Sequence, residues 1–255
     1  MTLARLLEIL KKNISMTRRQ ACQVGAILGL GFSQLALFRP GDAMAKELTP
    51  LKEDKTMKLP SPILDGDTSV EKAIKQRRTV RSFMAKPLTA KEFSQILWAA
   101  QGITEDRGYK RAAPSGGALY PADIYAVAGE NSVEDLPAGV CHYHPANHSI
   151  EKIADGDKRE EVAVASLRQM WMASAPVLFV VTLQYSRITM KYGDRGMNYA
   201  MIEVGHIGQN IFLQCQALGL AAGIVGAFYD KDVARAINAR KNHEPLIIMP
   251  VGWKR

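Results

Sequence analysis

Gln76-Arg77-Arg78-Thr79-Val80-Arg81-Ser82-Phe83 is the stretch of this sequence densest in groups that could hold a ligand. If the chain runs extended after a helix, alternate residues face one way, and Arg77, Thr79 and Arg81 converge. Two planar guanidiniums and a hydroxyl suit a phosphate monoester carrying a charge of about −2. A solvated basic turn is the competing reading. The second stretch is Ala113-Pro114-Ser115-Gly116-Gly117-Ala118-Leu119-Tyr120-Pro121. Its two glycines let backbone come flat against a planar ligand without Cβ interference, and its free N–H groups can donate. A plain loop is the alternative. It is no P-loop, because the Lys-Ser/Thr pair is missing.

Two weaker segments follow. Gly223-Ile224-Val225-Gly226-Ala227-Phe228 lacks G-x-G-x-x-G spacing, which disfavours a Rossmann site and leaves either a ligand-facing turn or a packed strand. Gly252-Trp253-Lys254-Arg255 could aim two more cations at the same phosphate, or fray as a basic tail. Cys141, His142, His144 and His148 invite a metal. Strand alternation, however, separates Cys141 from His142 and His144, and no second ligand cluster is evident, so no metal is expected. His206, one turn after Glu203, reads as a core or interface histidine. No nucleophile elbow is present.

These groups need elements to position them. Thr68-Ser69-Val70-Glu71 and Thr89-Ala90-Lys91-Glu92 read as capping boxes, each opening a helix. Asp123 to Ala128 reads as a strand, and Val140–His144 with Ser149–Ile153 as a hairpin around Pro145-Ala146-Asn147. Asp157 to Ala173 is expected to be helical. Pro176 to Leu183 has the apolar run of a strand buried on both faces. Asn198 to Leu218 is a long helix, apolar over more than one stripe and ended by Gly219. Gly208 within it costs about 1 kcal/mol relative to Ala, which close approach of another backbone would offset. Asp230 caps a last helix, and Pro245 to Val251 closes the core. Without strict βαβ alternation, the expected class is α+β with a mixed central sheet flanked by helices.

The chain has 255 residues, 47% hydrophobic and 23% charged, ordinary for one globular domain plus a leader. Residues 1–45 hold six basic residues against two acids, half of the net charge of +8. What remains is mildly basic, without a Lys/Arg run interleaved with aromatics, so nucleic-acid binding is not expected. Thr17-Arg18-Arg19 precedes a 15-residue uncharged run, Val24 to Phe38, followed by Ala43-Met44-Ala45. The segment resembles a twin-arginine signal with an A-x-A cleavage site, with Met16 as an alternative start. Export to the periplasm follows, or anchoring to the membrane if it is uncleaved. Residues 46–66 read as a linker, leaving a domain over 67–255. Three cysteines build no disulfide framework, although one Cys141–Cys215 bridge is open to an exported protein.

In their order, these segments resemble the nitroreductase family: an Arg-Arg-Thr-x-Arg-x-Phe start, a Pro-Ser-Gly-Gly-x-x-x-Pro loop, a long buried helix, a Gly-rich turn and a basic end. The SagB-type branch, which includes dehydrogenases of peptide azoline rings, is closer still, through Pro114–Pro121 and a Tyr-His-x-Pro-x-x-His-x-x-Glu hairpin at Tyr143–Glu151. The resemblance implies an FMN-dependent homodimer working by two-electron ping-pong, with NAD(P)H as donor and a small organic acceptor. It also admits a dehydrogenase reduced by its own substrate, or a flavin relay without turnover. It assigns Arg77, Arg78, Thr79 and Arg81 to the phosphate and ribityl chain, with Lys254 and Arg255 joining them. Pro114, Ser115, Gly116 and Gly117 would reach the flavin from the partner subunit, and Val225 and Gly226 would face its ring. No catalytic acid or base is assigned. Ala118 stands where many members have Asn, and the chain ends without a C-terminal arm.

Overall fold

The computed structural model describes residues 56–105 and 107–255. The leader expected over residues 1–45, including Cys22, and the first part of the expected linker lie outside them. The described residues fall within one unit, Leu51–Arg255.

In chain order the elements are β1 (Thr56–Lys58), α1 (Val70–Gln76), α2 (Ala90–Gln101), β2 (Ala122–Ala128), β3 (Gly139–His144), β4 (Ser149–Asp155), α3 (Arg159–Ala165), β5 (Val177–Leu183), α4 (Ser186–Tyr192), α5 (Arg195–Ala217), β6 (Ala221–Ala222), α6 (Asp230–Ala236) and β7 (Glu244–Gly252). The sheet order is β1-β4-β3-β2-β5-β7-β6, and every pairing between these strands is antiparallel. The mixing of directions expected for the sheet is absent from these strands, and parallel pairing among the described residues is confined to two isolated bridges, Thr79–Ala222 at the β6 edge and Leu88–Val133. The class is α+β.

β5 lies inside the sheet between β2 and β7, and all seven of its residues are buried, as its unbroken apolar run predicts. Alternation sorts the two faces. Ile124, Ala126, Phe179 and Val181 pack under Phe93, Ile96 and Leu97 of α2 and Val204, Ile207 and Ile211 of α5. Tyr125, Val127, Leu178 and Val180 pack against Val162 of α3 and Val233 of α6. α2 begins as its sequence dictates: Glu92 N–H donates to Thr89 Oγ1 at 3.1 Å and Thr89 N–H to Glu92 Oε2 at 2.8 Å. For α1 the cap is Ser69, whose hydroxyl accepts from Lys72 N–H at 3.2 Å, so the first expected box lies one residue out of step.

Several local expectations change. Part of the expected linker is sheet: β1 pairs with β4, and Leu59 N–H donates to the His148 carbonyl at 3.0 Å. The helix expected over Asp157–Ala173 breaks after Ala165, where Leu167 and Arg168 take left-handed φ of 54° and 57° and a 3₁₀ turn follows at Met170–Ser174. Ser166 favours that break, because its hydroxyl donates to the Val162 carbonyl at 2.8 Å. Asp230 stands in the first turn of α6 behind the N-cap Tyr229. α4 lacks an obvious apolar stripe and went unanticipated. Within α5, Gly208 accommodates side chains of β7 and not a backbone: a Cβ there would lie 3.2 Å from Ile247 Cδ1. α5 buries one face, and the other leaves Met197, Met201 and Ile202 40%, 45% and 56% exposed.

Candidate functional site

The basic segment after α1 joins the open edge of the sheet. Val80 N–H donates to the Ala222 carbonyl at 2.9 Å, and Met84 N–H to that of Trp253 at 2.9 Å. Arg255 N–H in turn donates to the Ser82 carbonyl at 3.2 Å, beside a Phe83–Lys254 bridge. Three stretches far apart in sequence (77–84, 221–226 and 252–255) therefore meet along β6 and the end of β7. Val225 is buried and held by a bridge to Ile248, whereas Gly226 is exposed, with nothing within 4 Å of where a Cβ would sit. At Gly223 the opposite holds, because a Cβ would lie 2.7 Å from the Val80 carbonyl oxygen.

The cations along this edge lack acids. Arg77, Arg78, Arg81, Lys254 and Arg255 form no ion pair among the described residues. Arg77 lies 5.0 Å over the Phe212 ring and Arg81 5.8 Å over Trp171. Both aromatic surfaces aim a guanidinium without neutralising it. Arg78 turns back, donating to the carbonyls of Lys75 at 2.9 Å and Arg77 at 2.8 Å, so it closes the end of α1 more than it faces a ligand.

The Pro114–Gly117 loop lies elsewhere. Gly116 packs on Tyr199 and Ile188, with no room to spare, while Arg77 rests on Phe212. Tyr199 and Phe212 are separated by thirteen residues of α5, or roughly 20 Å at 1.5 Å per residue. One chain thus holds the two expected halves of the site at opposite ends of its central helix.

The loop itself is a strained, well-held structure. Gly117, Ala118 and Tyr120 have φ of 64°, 55° and 47°. Tyr120 N–H donates to Ser115 Oγ at 2.9 Å, and Arg187 donates to the Tyr120 carbonyl at 3.1 Å. Beneath Ser115 lies Glu203, 1% exposed, whose Oε1 accepts from Gln101 Nε2 at 2.9 Å. Its Oε2 completes no hydrogen bond of good geometry, although the Ser115 hydroxyl and the Ala122 amide face the carboxyl. Burial raises the Glu203 carboxyl, and the Ser115 and Gln101 contacts oppose that rise. Two groups that sequence reading passed over crowd this loop. A Cβ on Gly117 would lie 2.6 Å from the Tyr192 hydroxyl and 3.0 Å from Lys191 Nζ. Both come from the unanticipated helix α4.

A second polar centre crosses the sheet. Asp123 Oδ1 accepts from His142 Nε2 at 3.1 Å, and its Oδ2 lies 2.7 Å from Arg187 and 3.8 Å from His243 Nε2. Glu151 holds His144 at 3.1 Å and Arg240 at 2.5 Å. Burial would raise the Asp123 carboxyl, but the His142 hydrogen bond and the Arg187 and His243 charges reverse this and hold it below the usual carboxylate range. Burial lowers both His144 and His243.

Sequence spacing shows no companion ligands for these histidines, yet the fold supplies them. Asp123, His142 and His243 bring ligand-type atoms within 4.8 Å of one another, as do His142, His144 and Glu151. Each carboxylate is already taken by a guanidinium, which a metal ion would have to displace. The cysteine bridge that the sequence left open does not form: Cys141 and Cys215 are separate buried thiols. His206 is exposed on the open face of α5 and is not a core residue.

Residues 74–253 match the model of the nitroreductase family. A candidate nitroreductase of Methanocaldococcus jannaschii is 41% identical over 199 residues, 78% of this chain and 98% of the relative. The microcin B17-processing protein McbC of Escherichia coli is 25% identical over 220 residues, covering 85% of this chain and 75% of McbC. Among solved structures, a candidate nitroreductase of Ralstonia eutropha superposes with a TM-score of 0.67 at 24% identity, over 79% of this chain and 90% of its own. The E. coli microcin synthetase McbBCD complex, with truncated pro-microcin bound, gives 0.60 at 20% identity, over 97% of this chain and 86% of its own.

Proposed function

The chain belongs to the nitroreductase family and is an oxidoreductase of that kind, and on that premise we propose that it holds FMN between two copies of itself and passes two electrons through it. The observation that carries this is the row of cations without ion pairs among the described residues, Arg77, Arg81, Lys254 and Arg255, on segments that backbone pairing sets beside one another, with Thr79, along one sheet edge. Like charges held together without acids destabilise a fold unless an anion joins them, and a phosphate monoester matches that donor set. The open Gly226 beside it leaves backbone that a planar ring can approach. The residues present thus fit the group.

The roughly 20 Å along α5 between this edge and the Ser115–Gly117 loop supports a two-chain site. The exposed Met197, Met201 and Ile202 are an apolar face for the partner. In that arrangement each loop serves the other protomer's phosphate edge.

Bound FMN supplies hydride acceptance and donation; the side chains bind, orient and exchange protons. Arg77, Arg81, Lys254 and Arg255 fix the phosphate. The loop, braced by Ser115 on Glu203 and by Arg187 on Tyr120, presents backbone N–H groups at a set position. Tyr192 and Lys191, at Gly117, are the hydroxyl and ammonium placed to give or take a proton. NAD(P)H is proposed as donor and a small nitro compound or quinone as acceptor.

A second reading is a dehydrogenase reduced by its own organic substrate. The likeness to McbC, together with the Tyr143–Glu151 hairpin, favours it. We also retain export through residues 1–45, which N-terminal sequencing of the periplasmic fraction tests.

The deciding experiment is the absorption spectrum of the purified protein, with its mass in solution, followed by anaerobic mixing with NADPH or NADH. A yellow dimer bleached by either supports the reductase. A yellow dimer untouched by both favours the dehydrogenase. A colourless protein that refuses micromolar FMN ends the proposal.

A further inference from the structure

Behind the loop lies a cavity of about 490 Å³, closed by the sheet, α4 and the turn before β7. Besides Tyr120 and Tyr143, its charged and titratable wall consists of Arg111, Arg187, Arg240, His142, His144 and Asp123. Three guanidiniums thus face one carboxylate. Arg187 is taken by Asp123 at 2.7 Å, and Arg240 by Glu151, which lies outside the lining, at 2.5 Å. Arg111 has no acid. Among the described residues it makes no ion pair, only a long 3.4 Å contact to Gln101 Oε1 and a stack 4.2 Å over the Tyr120 ring. Beside it, His142 is 3% exposed and its Nδ1 has no hydrogen-bond partner.

We propose that this cavity is a carboxylate-binding subsite, with Arg111 as its main anchor, for one end of the molecule that exchanges electrons at the loop. A guanidinium half-removed from water without an anion is held at a cost, and a planar carboxylate returns two parallel charge-assisted hydrogen bonds. Burial lowers the Arg111 pKa, and the charges of Glu203 and Asp123 offset only part of that. An anion would offset more.

Position gives the rest. Ala118, Leu119 and Tyr120 form the near wall, so the cavity begins no more than about 10 Å of chain from Gly117. That is the length of a small aromatic acid with its reacting group at the far end. A metal ion is the rival occupant of this wall, but Arg187 and Arg240 already sit on the carboxylates it would need.

The substrate half of the proposal rests on the flavin reading above; the binding half does not. The test is calorimetric binding of 4-nitrobenzoate and of nitrobenzene to the full-length protein as isolated. The charged ligand is expected to bind at least roughly tenfold more tightly, and Arg111→Gln to lose roughly tenfold to a hundredfold of that affinity. Arg111→Lys should recover part, and flavin content should stay unchanged in both variants. Benzoate displacing 4-nitrobenzoate from the wild type, where benzyl alcohol does not, reads the same site without any substitution. In steady state, nitrobenzoate should show the lower KM.

Equal affinity for the charged and neutral ligands overturns the proposal. So does a zinc isotherm that His142→Ala abolishes while carboxylates fail to bind. Carboxylate binding to a colourless protein would remove the flavin reading and the substrate half, but leave the site. A yellow protein indifferent to the carboxylate does the reverse.

Discussion

Replacing Asp123 by Asn tests whether the ionic cluster beneath the loop is a structural clamp. The carboxylate is 12% exposed and joins His142 at 3.1 Å and Arg187 at 2.7 Å. Removing one partner of a fully buried pair costs about 3–5 kcal/mol, because the other charge is left without compensation. Arg187 is 35% exposed, so water takes up part of that charge, and roughly 2–3 kcal/mol is expected instead. Urea unfolding of the wild type, Asp123→Asn, Arg187→Met and the double variant closes a cycle, with a coupling of about 1–2 kcal/mol. The pH dependence has a definite sign. The folded carboxyl is held below its unfolded value, so its stabilisation is present above about pH 4. It is lost as pH falls through the depressed folded pKa, and the gap between wild type and Asp123→Asn should shrink in acid. A variant within about 0.5 kcal/mol of wild type at pH 7 would refute the clamp, since that is the range of ordinary surface substitutions.

Arg77→Ala should weaken FMN binding by about 1.5–3 kcal/mol, the loss of a charged hydrogen bond, measured by flavin fluorescence on dilution; unchanged retention would remove Arg77 from the phosphate site. Gly117→Ala meets both a left-handed φ of 64° and the Tyr192 hydroxyl at 2.6 Å. About 1–2 kcal/mol of stability should go, with turnover falling further as Tyr192 and Lys191 are pushed aside, and melting temperature compared with kcat separates the two. Cys141, whose thiol burial pushes up to about 11, and the more deeply buried Cys215 should resist alkylation at pH 8 until the protein is denatured. Peptide mapping would show rapid native labelling of either if their packing is looser.

Much of the architecture was legible from local pattern. The β5 run, the β3–β4 hairpin, the Thr89–Glu92 capping box and the span of α5 each express burial or hydrogen bonding within a few residues, which periodicity and cap chemistry report directly. The break after Ala165 was not legible, because a serine bonding back to its own helix competes locally with continuation. Nor was α4, whose short run carries no clear stripe.

What the fold alone decided is which distant side chains meet. Glu203 sits 102 residues from Gln101, and His243 120 residues from Asp123, yet each pair is in contact or nearly so. Residue pattern reports the face a side chain turns inward; the partner it finds there depends on strand order and register. That is why His142 and His144, for which the sequence showed no second ligand cluster, share one polar centre with His243, Asp123 and Glu151. It is also why the two halves of the expected ligand site, which the resemblance divides between two subunits, stand at opposite ends of one helix within a single chain.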